Sequence, residues 1–352
     1  MVFISTKCLI RNRNFPERQF LPTMKTLYFN NPDQMQATLN KNLIHMIMHK
    51  NGLLPQLFEF IHVGGIKLTK FTGDWHYSVQ GVEEKHHYTF LIILDGEMHA
   101  NGQRICRDDI LFRPPSSEFL TSSNNFHKGI GISVPVNCFT QLFAETVRNQ
   151  KANFTSILSC SPLKMRALCS LLQDLFLTHR NFQETKKLEV SYLNNLSAQI
   201  VFMLEEIILP CIQNNWQGMH SSHHKHMLFQ NALKICNMQL SGNIDFEEMS
   251  RKLNISRRNL HNLFIDHLGH SPMRYLNFRR LNLVREALLG IQNKGQTIAE
   301  IASRHGFWHF GRFASTYKKF FGELPSETLA NSAKKQHCKH LSWNAQDHFF
   351  FR

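Results

Sequence analysis

One short pattern occurs twice in the C-terminal third of the chain, and it dictates paired short helices at both places. The first copy is Asp245-Phe246-Glu247-Glu248-Met249-Ser250-Arg251-Lys252-Leu253-Asn254-Ile255, followed by Ser256-Arg257-Arg258-Asn259-Leu260-His261-Asn262-Leu263-Phe264. The second is Thr297-Ile298-Ala299-Glu300-Ile301-Ala302-Ser303-Arg304-His305-Gly306-Phe307, followed by Trp308-His309-Phe310-Gly311-Arg312-Phe313-Ala314-Ser315-Thr316-Tyr317-Lys318-Lys319-Phe320. Each copy is a helix opener, a tight turn and a basic second helix. Two helix-turn-helix units in tandem predict one module offering two helices to successive segments of a DNA groove, one helical turn (roughly 34 Å) apart.

In the first unit, Asp245 with Glu248 resembles a capping box, and Ser256 caps the second helix. Met249, Leu253 and Ile255 turn inward. Leu260, Leu263 and Phe264 form the buried side of the second helix, which leaves Arg257, Arg258, His261 and Asn262 outward. Arg can bond guanine O6/N7 in bidentate fashion, and Asn can do the same for adenine N6/N7. A charged face on a short helix is otherwise merely solvated; the cap, the turn and the reader side chains together favour DNA.

In the second unit Thr297 and Glu300 make a capping box and Gly306 supplies the turn. Its second helix buries Phe313, Tyr317 and Phe320 and exposes His309, Gly311, Arg312, Ser315, Lys318 and Lys319. A longer helix from Ser271-Pro272 to Leu289, with Leu276, Leu281, Val284 and Leu288 as its apolar ridge, joins the units. Arg279, Arg280, Lys318 and Lys319 suit phosphate contacts, which position a protein without reading sequence.

Charge agrees with this. The chain of 352 residues carries a formal net charge of +14, with a pI near 9.5. Residues 225–330 hold 15 Lys and Arg against 8 Asp and Glu, so half of the excess sits there. A polyanionic partner, nucleic acid or an anionic surface, is favoured.

The N-terminal half differs. Short apolar runs from Leu57 to Val134 alternate with turn signals, among them Gly64-Gly65, Asp95-Gly96, Asn101-Gly102 and Pro114-Pro115. This texture predicts a small antiparallel barrel or sandwich, with consecutive hairpins at Asp95-Gly96 and Asn101-Gly102. After Pro135 the period becomes helical. Leu168, Leu171, Leu172, Leu175 and Phe176 make one stripe; Leu193, Leu196, Ile200, Met203, Leu204 and Ile207 make another. These helices either cover their own barrel or, through residues 188–208, join two subunits of a homodimer. Pro210 is expected to end the second helix, and 214–226 to form an exposed linker whose His220, His223, His224 and His226 are solvated.

The eight cysteines lie at 8, 106, 138, 160, 169, 211, 236 and 338 without any Cys-x-x-Cys pair. Zinc ribbons and thioredoxin-type sites are not indicated, and isolated thiols suit a reducing compartment. The apolar runs Phe90–Leu94 and Ile200–Leu204 are too short to span a bilayer, and Arg11 and Arg13 follow the first apolar stretch in the wrong order for a secretory signal. A cytoplasmic protein with no membrane partner is expected. Met24 is an alternative start.

Gly306-Phe307, Phe313 and Tyr317-Lys318-Lys319-Phe320-Phe321-Gly322-Glu323-Leu324-Pro325-Ser326 are similar to the C-terminal signature of the AraC/XylS family of bacterial transcription regulators. Gly269-His270-Ser271-Pro272-Met273-Arg274-Tyr275 and Arg280-Leu281 resemble that family's linking helix. The resemblance covers about 100 residues and extends to a subgroup that includes the ethanolamine-operon regulator. It implies a seven-helix DNA-binding domain, a double-stranded DNA partner and RNA polymerase, with Arg258, His261 and Asn262 reading one groove and Gly311, Arg312 and Ser315 the next. Trp308 and Phe310 are bulky where the family often has small polar residues. Contact with thymine methyls and a backbone-positioning role are both open there. Thr328-Leu329 also departs from the family's usual Tyr-Arg.

The run Phe90–Gly96 and Asp108–Pro115 looks like the cupin-type barrel that AraC-like proteins use for effectors. Trp75, Tyr77, His87 and Tyr88 are the candidate effector-binding residues. A metal-dependent cupin enzyme needs His-x-His, whereas His86 and His87 are adjacent and point to opposite faces of a strand. No metal, cofactor or catalytic array is expected; a cupin-like metal enzyme fused to a DNA-binding module is the alternative reading, and regulation without a ligand a third. The expected fold is α+β: an N-terminal segment 1–56, a cupin-like sensor/dimerisation domain with covering helices 57–211, a linker 212–226, an all-α double helix-turn-helix domain 227–330 and a tail 331–352.

Overall fold

Residues 87–93 explain the architecture of the first half. In this strand Tyr88, Phe90 and Ile92 point one way and Leu91 and Ile93 the other, yet all five are buried. A strand apolar on both faces must be covered on both. The computed structural model, which describes residues 25–30, 32–40, 45–50, 54–181, 190–238, 240, 245–290 and 295–337, provides that cover with a curled sheet on one side and helices on the other.

The described strands are β1 (Lys25–Phe29), β2 (His45–Lys50), β3 (Gln56–Val63), β4 (Ile66–Gly73), β5 (His76–Val82), β6 (His87–Ala100), β7 (Gln103–Ile105), β8 (Asp109–Arg113), β9 (Glu118–Pro135) and β10 (Ser156–Ser159), with α1 (Pro32–Asn40) between β1 and β2. They form one antiparallel sheet in the order β1-β3-β4-β9-β6-β8-β10, with β5 joining β9 to β2 and β7 beside β6. The order does not return on itself among the described residues, so the sheet is an open half-barrel. Gly64-Gly65 and Asn101-Gly102 have positive φ at both turn positions, as two-residue hairpins require. Asp95-Gly96 is not a hairpin. β6 runs straight through it with register shifts against β9 on either side, and Gly96, at φ +81°, lies where a Cβ would strike the Phe126 carbonyl. It is a bulge that bends a long strand.

The sheet also starts earlier than residue 57. β1 pairs with β3 and β2 with β5, so residues from Lys25 onward belong to it. Of the expected N-terminal segment 1–56, residues 1–24, including Cys8 and Met24, lie outside the described residues, as do the tail beyond His337, including Lys339 and Cys338, and the side chains of His220, His223, Lys334 and Lys335.

Helices α2 (Gln141–Asn149), α3 (Pro162–Asn181) and α4 (Val190–Met238) cover one face of the sheet. Leu168, Leu172, Leu175 and Phe176 of α3 and Leu193, Leu196, Ile200, Leu204 and Ile207 of α4 share one core with Tyr88, Phe90, Ile92, Phe112, Ile130 and Ile132. The α4 stripe is therefore consumed within the monomer and is not available to a second subunit. The outward residues of that segment include Tyr192 and Phe202, about half exposed. Ser191–Asn214 is long and apolar enough to cross a bilayer by composition, mean hydropathy 1.5, but its apolar stripe is the one buried here.

Pro210 does not end α4, which continues through the expected linker to Met238. Proline cannot donate to the carbonyl four residues back. That carbonyl, Glu206 O, instead accepts from Lys164 Nζ at 2.9 Å. His226 is buried rather than solvated, with Nε2 3.1 Å from Gln230.

The C-terminal region comprises the end of α4 with α5 (Phe246–Lys252), α6 (Arg257–Leu268), α7 (Pro272–Leu289), α8 (Ile298–Arg304), α9 (Phe310–Phe321) and α10 (Pro325–His337). Counting the end of α4, seven described helices make this region. Phe229, Leu233, Cys236, Met249, Leu260, Leu263, Phe264, Tyr275 and Leu276 form one small core. Leu281, Val284, Leu288, Ile301, Ala302, Phe313, Tyr317 and Phe321 form the next. One helix, α7, serves both, which makes it the spine of the module.

Candidate nucleic-acid interface

The first unit is built on its caps. Asp245 Oδ1 accepts from Glu247 N at 2.8 Å, and Ser256 Oγ accepts from Asn259 N at 3.1 Å. Between them Asn254 takes φ +54°, an αL turn that Asn tolerates better than most residues. The chain end of α6 is closed by Gly269 at φ +71°. Helical periodicity then does the rest: Leu260, Leu263, Phe264, His267 and Leu268 are buried, while Arg257, Arg258, Asn259, His261 and Asn262 are exposed along the other side. Asn259 was passed over in the sequence, although its place one residue from Arg258 could have flagged it. Arg257 spends its charge on Glu247 at 3.0 Å, a pair exposed at both ends and therefore weak. Among the described residues, no hydrogen bond or ion pair engages the head groups of Arg258 and Asn262.

The second unit has a true capping box: Glu300 N donates to Thr297 Oγ1 at 3.2 Å and Thr297 N to Glu300 Oε2 at 2.7 Å. Gly306 makes the turn at φ +83°. The second helix, α9, is less complete, since His309 at its N-cap makes no side-chain capping bond. Phe313, Tyr317 and Phe321 are its buried face. Phe320, expected among them, is only half-buried and leans on Phe278, ring centroids 5.1 Å apart. His309, Gly311, Arg312, Ser315, Lys318 and Lys319 are exposed, as are Trp308 (72%) and Phe310 (45%). A Cβ at Gly311 would meet nothing within 4 Å. Packing does not require this glycine, although glycine inside a helix costs roughly 1 kcal/mol relative to alanine. Its effect is to leave bare backbone on the exposed face between Phe310 and Arg312.

The four arginines and lysines expected at phosphates divide. Lys318 and Lys319 are exposed. Arg279 is half-buried, 3.9 Å from Glu286. Arg280 is part-buried: its Nε donates to Leu240 O at 2.8 Å, and its guanidinium lies against Gly306. It ties the α4–α5 connection to the second turn, and burial pulls its pKa down.

The candidate effector residues do not converge. Trp75 and Tyr77 are buried with Phe29, Met35, Met46 and Met48, and Tyr77 Oη is 3.1 Å from His127 Nε2. Tyr88 lies on the other face of the sheet between Phe112, Phe139 and Phe143, and His87 pairs with Glu84 at 2.9 Å. The single ring-lined site expected from sequence is thus two separate clusters, one around Trp75 and Tyr77 and one around Tyr88. A groove of about 190 Å³ beside Glu84 is lined by Phe60, His62, Lys67, Glu83 and Thr89, below the roughly 300–1,000 Å³ usual for small-molecule sites. No group of three or more His, Cys, Asp or Glu is placed to hold a metal among the described residues.

The two halves meet along α7. Asn282 exchanges hydrogen bonds with the backbone of Met48, Nδ2 to O at 3.2 Å and N to Oδ1 at 3.4 Å. Arg285 forks onto Asp33 at 2.7 and 2.9 Å and reaches Glu323 at 2.8 Å. His49 lies 4.9 Å from His270, ring to ring. Ile47 and Leu120 of the sheet enter the core of the first helix-turn-helix.

Residues 249–331 match the family model described as a helix-turn-helix domain. The chain is 37% identical over 107 residues to the XylDLEGF operon transcriptional activator of Pseudomonas putida, a stretch that covers 30% of this chain and a third of that one (33%). It is 36% identical over 110 residues to XylDLEGF operon transcriptional activator 2 of the same organism, covering 31% of this chain and 69% of that protein. The chain belongs to the AraC/XylS family of transcription regulators. The probable thc operon regulatory protein of Rhodococcus erythropolis is 42% identical over 82 residues, 23% of this chain and 25% of that protein. The solved AraC-like transcriptional activator CuxR overlaps 80% of this chain and all (100%) of its own length at 14% identity and a TM-score of 0.41. The family-model match, residues 249–331, falls in the helical region.

Proposed function

We propose that this AraC/XylS-family chain is a sequence-specific DNA-binding transcription activator, with α6 as its main base reader and α9 as a basic anchor. The observation that carries the reading is the outward face of α6. Arg258, His261 and Asn262 stand there on a helix capped at both ends, and among the described residues no hydrogen bond or ion pair holds the head groups of Arg258 and Asn262. Preorganised donors at major-groove spacing give specificity. Ser256, Arg257, Arg279, Lys318 and Lys319 serve the backbone. On α9, Gly311 lets the helix approach closely while Arg312, Ser315 and His309 face the second segment. RNA polymerase and a small-molecule effector acting through the half-barrel belong to the same proposal, on family grounds. A homodimer built on residues 188–208 uses the outward Tyr192 and Phe202, since the leucine stripe is occupied.

Selection of bound sequences from random duplexes, followed by titration at fixed salt, tests this. Arg258→Ala should cost about 1–3 kcal/mol on the selected site and relax the preference at one base pair. Lys319→Ala should weaken every sequence alike and reduce the salt slope by about one. Equal, sequence-independent losses would contradict the division of roles. Trp308→Ala should leave folding within about 0.5 kcal/mol, as surface changes do, while lowering affinity for the selected site. Unchanged affinity would remove Trp308 from the interface.

A further inference from the structure

The proline in α4 sits where three elements converge. Lys164, in the first turn of α3, donates both to Glu206 O at 2.9 Å and to Glu206 Oε2 at 3.2 Å, and so satisfies the carbonyl that Pro210 orphans. One residue past the proline, Cys211 Sγ lies 3.7 Å from Cys160 Sγ. Cys160 follows β10 directly, and its N–H is bonded to Asp108 O at 3.0 Å. Both thiols are half-exposed and free. The two residues are 51 apart in sequence, so spacing gave no sign of a pair.

We propose that Cys160 and Cys211 form a dithiol that hydroperoxides oxidise to a disulfide, which clamps the proline of α4 to the corner between β10 and α3. A disulfide needs sulfurs about 2.05 Å apart, so the pair must close by under 2 Å, within reach of side-chain rotation. The thiolate is the attacking species, and the surroundings assign it to Cys211. As a thiol Cys211 donates to Ile207 O at 3.1 Å and to Ser159 O at 3.4 Å; the adjoining Cys160 sulfur, against burial, then its own backbone N–H and the Lys164 charge hold it below the usual thiol range. The neighbouring Cys211 and burial push Cys160 up.

The chemistry balances. The Cys211 thiolate attacks the outer oxygen of ROOH, the O–O bond breaks, and RO⁻ takes a proton from solvent to leave as ROH. Sulfur is oxidised by two electrons to a sulfenic acid, and the peroxide is reduced. Cys160 then loses its proton and attacks the sulfenic sulfur. The S–S bond forms, the S–O bond breaks, and the departing hydroxide takes that proton and leaves as water. Two thiols and one ROOH yield one disulfide, one ROH and one water.

The test treats the reduced full chain with one equivalent of hydrogen peroxide and maps its peptides by mass spectrometry. The expected product is an intramolecular Cys160–Cys211 peptide pair that dithiothreitol reverses. Cys160→Ser should trap Cys211 as a dimedone-reactive sulfenic acid, and Cys211→Ser should leave Cys160 unmodified. In the native chain Cys211 should alkylate about tenfold faster at pH 7 than the exposed Cys106, as a stabilised thiolate does. Hydrogen exchange over residues 206–215 should slow about tenfold on oxidation and recover on reduction. Prior oxidation of Cys106, a disulfide between chains, or equal alkylation of Cys106 and Cys211 overturns the site. Cross-linking without any change in exchange overturns the clamp. Neither readout involves DNA, so the result is independent of the base-reading proposal.

Discussion

Arg285→Met should lower the stability of the native chain by about 3 kcal/mol, read as a shift of the urea midpoint at constant slope. Arg285 stands on the spine helix α7 at 8% exposure. Its guanidinium forks onto both oxygens of Asp33, donates to Glu323 at 2.8 Å, reaches the Tyr317 hydroxyl at 3.4 Å and lies 4.5 Å over the Phe321 ring. Those charged and hydroxyl partners hold it charged, against the burial that opposes them. Removing it takes away the cation that Asp33 and Glu323 share. Breaking a buried pair costs about 3–5 kcal/mol because a charge is stranded. The lower end applies here, since Asp33 and Glu323 keep 20% and 26% of their side chains in solvent. Arg285→Lys should recover only part of the loss, because an ammonium cannot make the two parallel bonds. In the Asp33→Asn background the Arg285→Met cost should shrink by at least 1 kcal/mol, the coupling expected of contacting charges. A loss below about 1 kcal/mol for Arg285→Met alone would show that the triad does not hold α1 to α7.

That triad was only half visible in the sequence. Arg285 stands four residues after Leu281 and one after Val284, inside the apolar ridge of α7, and a charge in such a ridge needs a partner. The partner could not be found by pattern, because Asp33 is 252 residues away in sequence. The helix-turn-helix units were legible for the opposite reason. Their caps, turns and buried faces are all local, so Thr297 with Glu300, Gly306 and the Leu260–Phe264 face can be read within a few residues. Phe320 misled because helical position distinguishes inward from outward but not bare solvent from a neighbouring loop or domain. Pro210 misled likewise. Proline breaks a helix unless something else takes the freed carbonyl, and Lys164 does so from 42 residues away. The ambiguity of the α4 stripe was resolved by the sheet: Tyr88, Phe90 and Ile92 need cover, and the stripe supplies it.

Acidification should loosen the contact between the two halves, with the loss confined to a definite window. His49 on β2 is buried, bonded to Ser78 at 3.0 Å and set against His270 and Phe278. Burial, then His270, His76 and Arg274, drive its pKa well below the ordinary value of 6.5. His270 is pulled down to about 4 by burial, Arg274 and His76. Folded pKa values below the unfolded one mean that the unfolded chain binds more protons in between. Stability is therefore full above about pH 6.5 and falls as the pH drops toward 4. A fully shifted histidine contributes at most about 1.4 kcal/mol per pH unit. His270 is partly solvated, so roughly 2 kcal/mol is expected for the pair between pH 7 and pH 5. Urea midpoints at those two pH values measure it. His49→Gln keeps a donor for Ser78 without a titrating ring and should flatten the decline, as should His270→Phe. If both variants follow the native chain's pH profile, the decline belongs to other groups, with His267, also held near 4 by burial against Phe229, the next to be replaced.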